Sequence, residues 1–184
     1  RFYNCDSQWH AGWSTENLFE NCVVISDTKE FGGYGNAFWA SSPEDGAHGP
    51  NGPRNVVYNC DGYSISDAVY LGGMNENWIF AWNRLRAKQG VGFFFKTASF
   101  DHILKGNVVI LEDKNSPFIL FATPDCGGVE LIGNTFSGGN GKLFSGLHRP
   151  LVEKDNRIIP LDTKLPRPRP QVPSIYEWQL KHKR

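Results

Sequence analysis

The sequence predicts an all-β fold, a right-handed parallel β-helix with coils of about 22–27 residues, an asparagine ladder and an extended Pro-rich C-terminal tail. The first observation behind it is a repeated phrase. Trp78-x-Phe80-x-x-Asn83-x-Leu85, His102-x-Leu104-x-x-Asn107-x-Val109 and Val129-x-Leu131-x-x-Asn134-x-Phe136 share one template. Asn59 and Asn156 extend it, at intervals of 24 (59 to 83), 24 (83 to 107), 27 (107 to 134) and 22 (134 to 156). Self-similarity at such a period marks a stack of identical supersecondary units. The second observation is a companion series of short apolar runs. Leu71, Phe95, Ala122 and Phe144 each precede a ladder asparagine by 12 residues. The third is that runs such as 91–96 and 118–122 are short, aromatic and β-branched, bounded by Gly or Pro, which reads as strand. A leucine-rich repeat, which shares the L-x-x-N-x-L phrase, requires helical turns there, and no repeat window has sustained helical periodicity.

Each asparagine has a physical task. A buried turn leaves backbone N–H and C=O groups without strand partners. An inward asparagine on every coil bonds that backbone and its neighbour at the strand spacing of about 4.8 Å. These asparagines are therefore structural. The chain as a whole resembles the pectate-lyase-like superfamily, whose coils carry an asparagine ladder at one turn. That resemblance implies action on polysaccharides, by a lyase or a glycosidase, at an outer sheet groove flanked by turn loops. It also implies a secreted or periplasmic setting.

The 184 residues read as one solenoid over residues 1–159 and a tail over 160–184 that packs on it. With 19 basic and 19 acidic residues the formal charge is zero, so no global field draws in nucleic acid or an anionic membrane. No apolar run approaches a membrane span. A solenoid needs a cap at each end; none is apparent at residues 1–10, so the remainder of a longer chain or a second chain is expected at the N-terminal end. Of the four cysteines, Cys5, Cys22 and Cys60 each follow an asparagine; stacked neighbours would lie within disulfide reach, but the better reading is small apolar side chains filling one column, reduced or not. No zinc-like spacing occurs. No cofactor is called for, and calcium is left open.

The coil between Asn21 and Asn59 is 38 residues long rather than about 24, with seven extra residues in each of residues 26–35 and 41–54. Long loops on a rigid scaffold carry function more often than the scaffold does. The second stretch holds Glu44, Asp45, His48 and Arg54 among Gly and Pro. Strand alternation lays Trp39, Tyr70, Phe94 and Phe121 in one outward column, with His10 and Lys96 one step along. An aromatic row rimmed by cations suits sugar rings. The catalytic candidates are His48, Lys96, Asp45, Glu44, Tyr70 and Asp67; the substrate-binding candidates are His10, Trp39, Phe94, Phe121 and Arg54. For β-elimination, which is favoured, His48 or Tyr70 would be acid or base, while Lys96, His10 or Arg54 would hold a uronate carboxylate. Hydrolysis would need a second carboxylate opposite Glu44 or Asp45, from Asp67 or Asp61. A non-catalytic glycan-binding or structural solenoid is the alternative from another class. Arg84 and Arg86 read as solvated surface, and His102 as an outer strand residue.

Overall fold

A computed structural model of the chain describes residues 1–5, 7–10, 12–27, 35–41 and 49–183. Their strands form a right-handed parallel β-helix, and the only helix among them is the short Ile175–Lys181. Each full coil contributes to four parallel sheets of seven, six, six and four strands. The strands Phe38–Ala40, Val69–Leu71, Phe93–Phe95 and Ile119–Phe121 belong to what we term the aromatic sheet. A corner sheet of two-residue strands follows, among them Gly52–Pro53, Asn75–Glu76 and Ser99–Phe100. Then come a third sheet, with Val56–Tyr58 and Ile79–Ala81, and a charged sheet, with Val23–Ser26, Asp61–Ser64, Arg84–Ala87 and Val108–Leu111. Strands this short succeed because all but those at the sheet edges are paired on both sides by the coils before and after them.

The interior is a column of apolar side chains, one set per sheet. Val69, Phe93 and Ile119 stack from the aromatic sheet, Leu85, Val109 and Phe136 from the charged sheet, and Trp78 and Phe80 fill the middle. All eight are fully buried. At about 1.5–3 kcal/mol each for side chains of this size, they supply the main drive to wind the chain.

The asparagine ladder lies at the turn into the charged sheet. The amide of Asn83 donates to Asn107 Oδ1, Asn107 to Asn134 and Asn134 to Asn156, each at 3.0 Å. Each amide also donates inward to a carbonyl, Val57, Phe80, Leu104 and Leu131 in turn. The N–H of Cys60 donates to Asn83 Oδ1, so the slot above Asn83 is filled by Cys60, not by Asn59. Asn59 sits one residue earlier, at φ 52°, in a column of left-handed residues with Asn21, Trp82, Gly106, Gly133 and Asp155. Asparagine tolerates that conformation better than most residues, which is why it occurs there too. Its side chain faces outward, to Asn21 Oδ1 and the carbonyl of Pro173. Cys22 and Cys60 are consequently register neighbours in the ladder slot, whereas Cys5 lies outside it.

A second polar column supports the corner. His102 is fully buried rather than outward: its Nδ1 accepts from the Trp78 N–H. That leaves the proton on Nε2, which donates to Ser99 Oγ, and Ser99 in turn donates to Asn75 Oδ1. Burial pushes the pKa of His102 down to about 3, so it is a neutral structural bridge.

The tail runs back along the solenoid from its last coil to its first. Ser137 Oγ engages Pro160 and Asp162, Arg84 reaches the Leu165 carbonyl, Arg167 the Asn59 carbonyl, and Tyr58 OH the Val172 carbonyl. Glu20 then accepts from Ser174 Oγ and the Ile175 N–H, holding a carboxylate at the start of Ile175–Lys181, which Ser174 caps.

Candidate functional site

Outward positions of the aromatic sheet follow from its register. Gln8, Trp39, Tyr70, Phe94, Leu120 and Ser145 form one column, while their neighbours on either side point into the core. Tyr70 and Phe94 stack at 4.9 Å between centroids and 9° between planes, both half-buried. Such a pair fixes two large, stiff groups in place before any ligand arrives, which lowers the entropic cost of binding. Trp39, next in the column, keeps only 9% of its surface exposed. At the strand ends, amide-to-carbonyl bonds align Ser41, Gly72, Lys96 and Ala122 on successive coils, with His10 one coil before Ser41. His10 is exposed and Lys96 half-buried. Three rungs separate them, about 14 Å at the strand spacing. Lys96 ends the Phe94 strand and His10 lies two rungs before Tyr70, so they do not converge on one point.

Phe121 does not join this column. It pairs with Phe95, is fully buried, and stacks on that ring at 5.5 Å inside the core. The expected alignment matched Ala122 to Phe95 by counting 12 back from Asn134, whereas that coil holds one more residue than its predecessor on this side. A slip of one residue exchanges the two faces of a strand. Leu120 takes the outward place instead.

Two further candidates are engaged elsewhere. Asp67 Oδ1 accepts from the Val91 N–H at 2.8 Å and so closes the turn of the next coil. Arg54 lies on the far side of the corner sheet, where its Nε and Nη2 both reach Glu16 Oε1, at 3.0 and 2.7 Å. Glu44, Asp45 and His48 lie outside the described residues. Of the stretch 41–54, residues 49–54 are regular scaffold: Gly52–Pro53 pairs with Asn75–Glu76, and the Asn51 amide bonds the carbonyls of Ser41 and Gly73.

The outer face of the charged sheet was missed. There Arg84 pairs with Asp61 and Arg86 with Glu112, and the Arg86 guanidinium lies 5.2 Å from the Tyr63 ring centre. The signal was available: Asp61, Tyr63, Arg84 and Arg86 occupy alternate positions of two successive strands, the same column logic that picked out Tyr70 and Phe94.

Cys60 is buried and Cys22 partly so. A hydrogen bond from the Cys60 thiol favours the Cys22 thiolate and brings its pKa down to about 7, while the same bond and burial push Cys60 up. Among the described residues no group of three or more His, Cys, Asp or Glu side chains gathers to hold a metal ion. No helix among them is long and apolar enough to cross a membrane.

Fold and faces together define a parallel β-helix with an aromatic outer strip. No protein-family profile, curated protein or solved structure matches the chain, so the geometry carries the functional reading alone.

Proposed function

We propose that this β-helix holds a polysaccharide chain along the outer face of the aromatic sheet and cleaves it by β-elimination. The observation that carries the binding half is the stacked, half-buried Tyr70–Phe94 pair, with Lys96 at the end of the Phe94 strand. Pyranose rings bury their C–H surfaces on aromatic carbon, and successive sugars of an extended chain would run along the coil axis past successive rungs. The chemistry follows from what this face offers. Among the described residues, the outward column and the strand-end column contain one phenol, Tyr70, one ammonium group, Lys96, and one imidazole, His10, but no carboxylate. Elimination asks for a proton acceptor beside cations that stabilise a uronate's developing charge. Hydrolysis asks for two carboxyl groups across the bond. A secreted or periplasmic setting goes with such a substrate.

A panel of neutral and uronate polysaccharides, followed by ultraviolet absorbance of the new double bond, tests both halves. Binding is expected to fall at least tenfold in a Tyr70→Ala, Phe94→Ala double variant. Lys96→Ala is expected to abolish product formation on the uronate substrate. Retained affinity in the double variant rejects the aromatic face. Binding without any absorbing product leaves a glycan-binding solenoid and rejects elimination.

A further inference from the structure

The asparagine ladder starts at Asn83, but its column does not. Bonds from the strand residue that follows each slot place Cys22, Cys60, Asn83, Asn107, Asn134 and Asn156 in register, one from each successive rung. From Asn83 onward every member is tied to the next through its side chain, amide to Oδ1 at 3.0 Å. The two rungs before Asn83 have no amide in the slot. The side chains that can join them there are two thiols.

Geometry favours such a join. Successive rungs of a parallel sheet lie about 4.8 Å apart, inside the roughly 4.4–6.8 Å that separates the Cα atoms of a disulfide. A slot in which stacked asparagine side chains touch also sends both Cβ atoms the same way. The Cys60 thiol is the group that acts most strongly on Cys22, as expected of sulfurs that face each other. The two differ in access, since Cys22 is partly exposed and Cys60 is buried. A small reagent therefore meets Cys22 first, and the thiolate that attacks in thiol–disulfide exchange is the form Cys60 favours there. The position has a consequence for the tail. The Asn21 and Asn59 amides, each next to one of these cysteines, both donate to the Pro173 carbonyl, and Tyr58 and Glu20 hold Val172 and Ser174. A link between Cys22 and Cys60 would join the two rungs that grip the end of the tail.

We propose that Cys22 and Cys60 form a redox modification site whose co-substrate is a low-molecular-weight disulfide, and that their oxidation adds a covalent rung at the head of the ladder. The Cys22 thiolate attacks one sulfur of the small disulfide, whose S–S bond breaks and releases one thiol. The mixed disulfide left on Cys22 is then attacked by the Cys60 sulfur, whose proton goes to the second departing thiolate. The protein loses two electrons and two protons, and one small disulfide becomes two thiols. The site lies at the turn into the charged sheet and does not depend on glycan binding at the aromatic face.

The test treats the folded protein with oxidised glutathione, digests it without reduction and maps the peptides by mass spectrometry. A pair of peptides joined through Cys22 and Cys60 is expected. Cys60→Ala is expected to stop at the first step, with glutathione retained on Cys22, and Cys22→Ala to leave Cys60 unmodified. Cys5→Ala is expected to keep the cross-link. The oxidised protein should unfold at a higher urea midpoint than the reduced one, because the link spans 38 residues (22 to 60) of the unfolded chain. Mapping of the wild-type protein needs no substitution, so it decides the matter even where a variant does not fold. Absence of the Cys22–Cys60 peptide pair, or pairing of Cys22 with Cys5 in its place, overturns the proposal. So does glutathione on Cys60 in folded Cys22→Ala, its absence from Cys22 in folded Cys60→Ala, or a lower midpoint for the oxidised protein.

Discussion

Asn107→Ala removes the middle of the ladder. Four hydrogen bonds go with it: its Oδ1 accepts from the Asn83 N–H and amide, and its own amide donates to the Phe80 carbonyl and Asn134 Oδ1. All of these partners are buried, and no strand pairing replaces what is lost. At about 1 kcal/mol for each lost bond, the variant should be destabilised by about 4 kcal/mol, a large share of the 5–15 kcal/mol typical of a folded domain. Urea unfolding followed by circular dichroism measures this as a lower midpoint at unchanged slope. Asn156→Ala, at the partly exposed end of the ladder, loses three such bonds and should cost at most about 3 kcal/mol, because Asn156 donates to no further asparagine. Asn107→Asp sharpens the test. Burial and the facing carbonyl oxygens raise the folded-state pKa of the new carboxyl above its unfolded value. The variant should therefore be least stable at neutral pH and recover as pH falls through the folded value, where the protonated group again donates. An Asn107→Ala loss below about 1 kcal/mol, or an Asn107→Asp variant that weakens on acidification relative to wild type, would refute the ladder's role.

His102, buried and neutral, has a folded pKa depressed to about 3. The stability it contributes is complete above the unfolded value of about 6.5 and drains away as pH falls from there toward 3. His102→Gln should flatten the stability profile across that window, and an unchanged slope would count against a buried neutral ring. Iodoacetamide labelling mapped by mass spectrometry should modify Cys22 well before Cys60, with a rate that rises around pH 7; Cys60→Ala, by removing the donor bond, should move that rise toward the usual thiol range. Gly90 has φ +79° and a Cβ there would run into the Asp67 side chain, so Gly90→Ala should cost about 2 kcal/mol in urea unfolding. A neutral Gly90→Ala would remove Asp67 from its capping role.

Most of the coil was legible from the chain alone, because repetition is visible wherever side chains recur in one slot. Asn83, Asn107, Asn134 and Asn156 proved to be one column, and the alternation that set Tyr70 and Phe94 outward was read from residue type alone. Where coils differ in length, counting misled. Asn59 resembles a ladder member, yet the ladder slot on its coil belongs to Cys60, since the turn before it can seat an asparagine in a left-handed conformation as well. Phe121 was set on the wrong face by a single additional residue after it. Neither slip shows in residue types, because Phe suits both faces and Asn suits both turn positions; only the hydrogen-bond register distinguishes them. His102 was misread because a histidine inside a core needs two buried partners, and Ser99 and the Trp78 N–H come together only once the coils are stacked. The Asp61–Arg84 and Arg86–Glu112 pairs were passed over because alternating charge in a short segment resembles ordinary surface until neighbouring rungs are laid side by side.

The register of the aromatic sheet underlies both the core and the proposed binding face, and cysteine pairs report it directly. Adjacent parallel strands bring paired Cα atoms to about 4.8 Å, within disulfide range, provided both side chains leave the same face. Under mild oxidation, Phe94→Cys with Leu120→Cys should cross-link in high yield. Phe94→Cys with Phe121→Cys should not, and efficient cross-linking of that second pair instead would contradict the account.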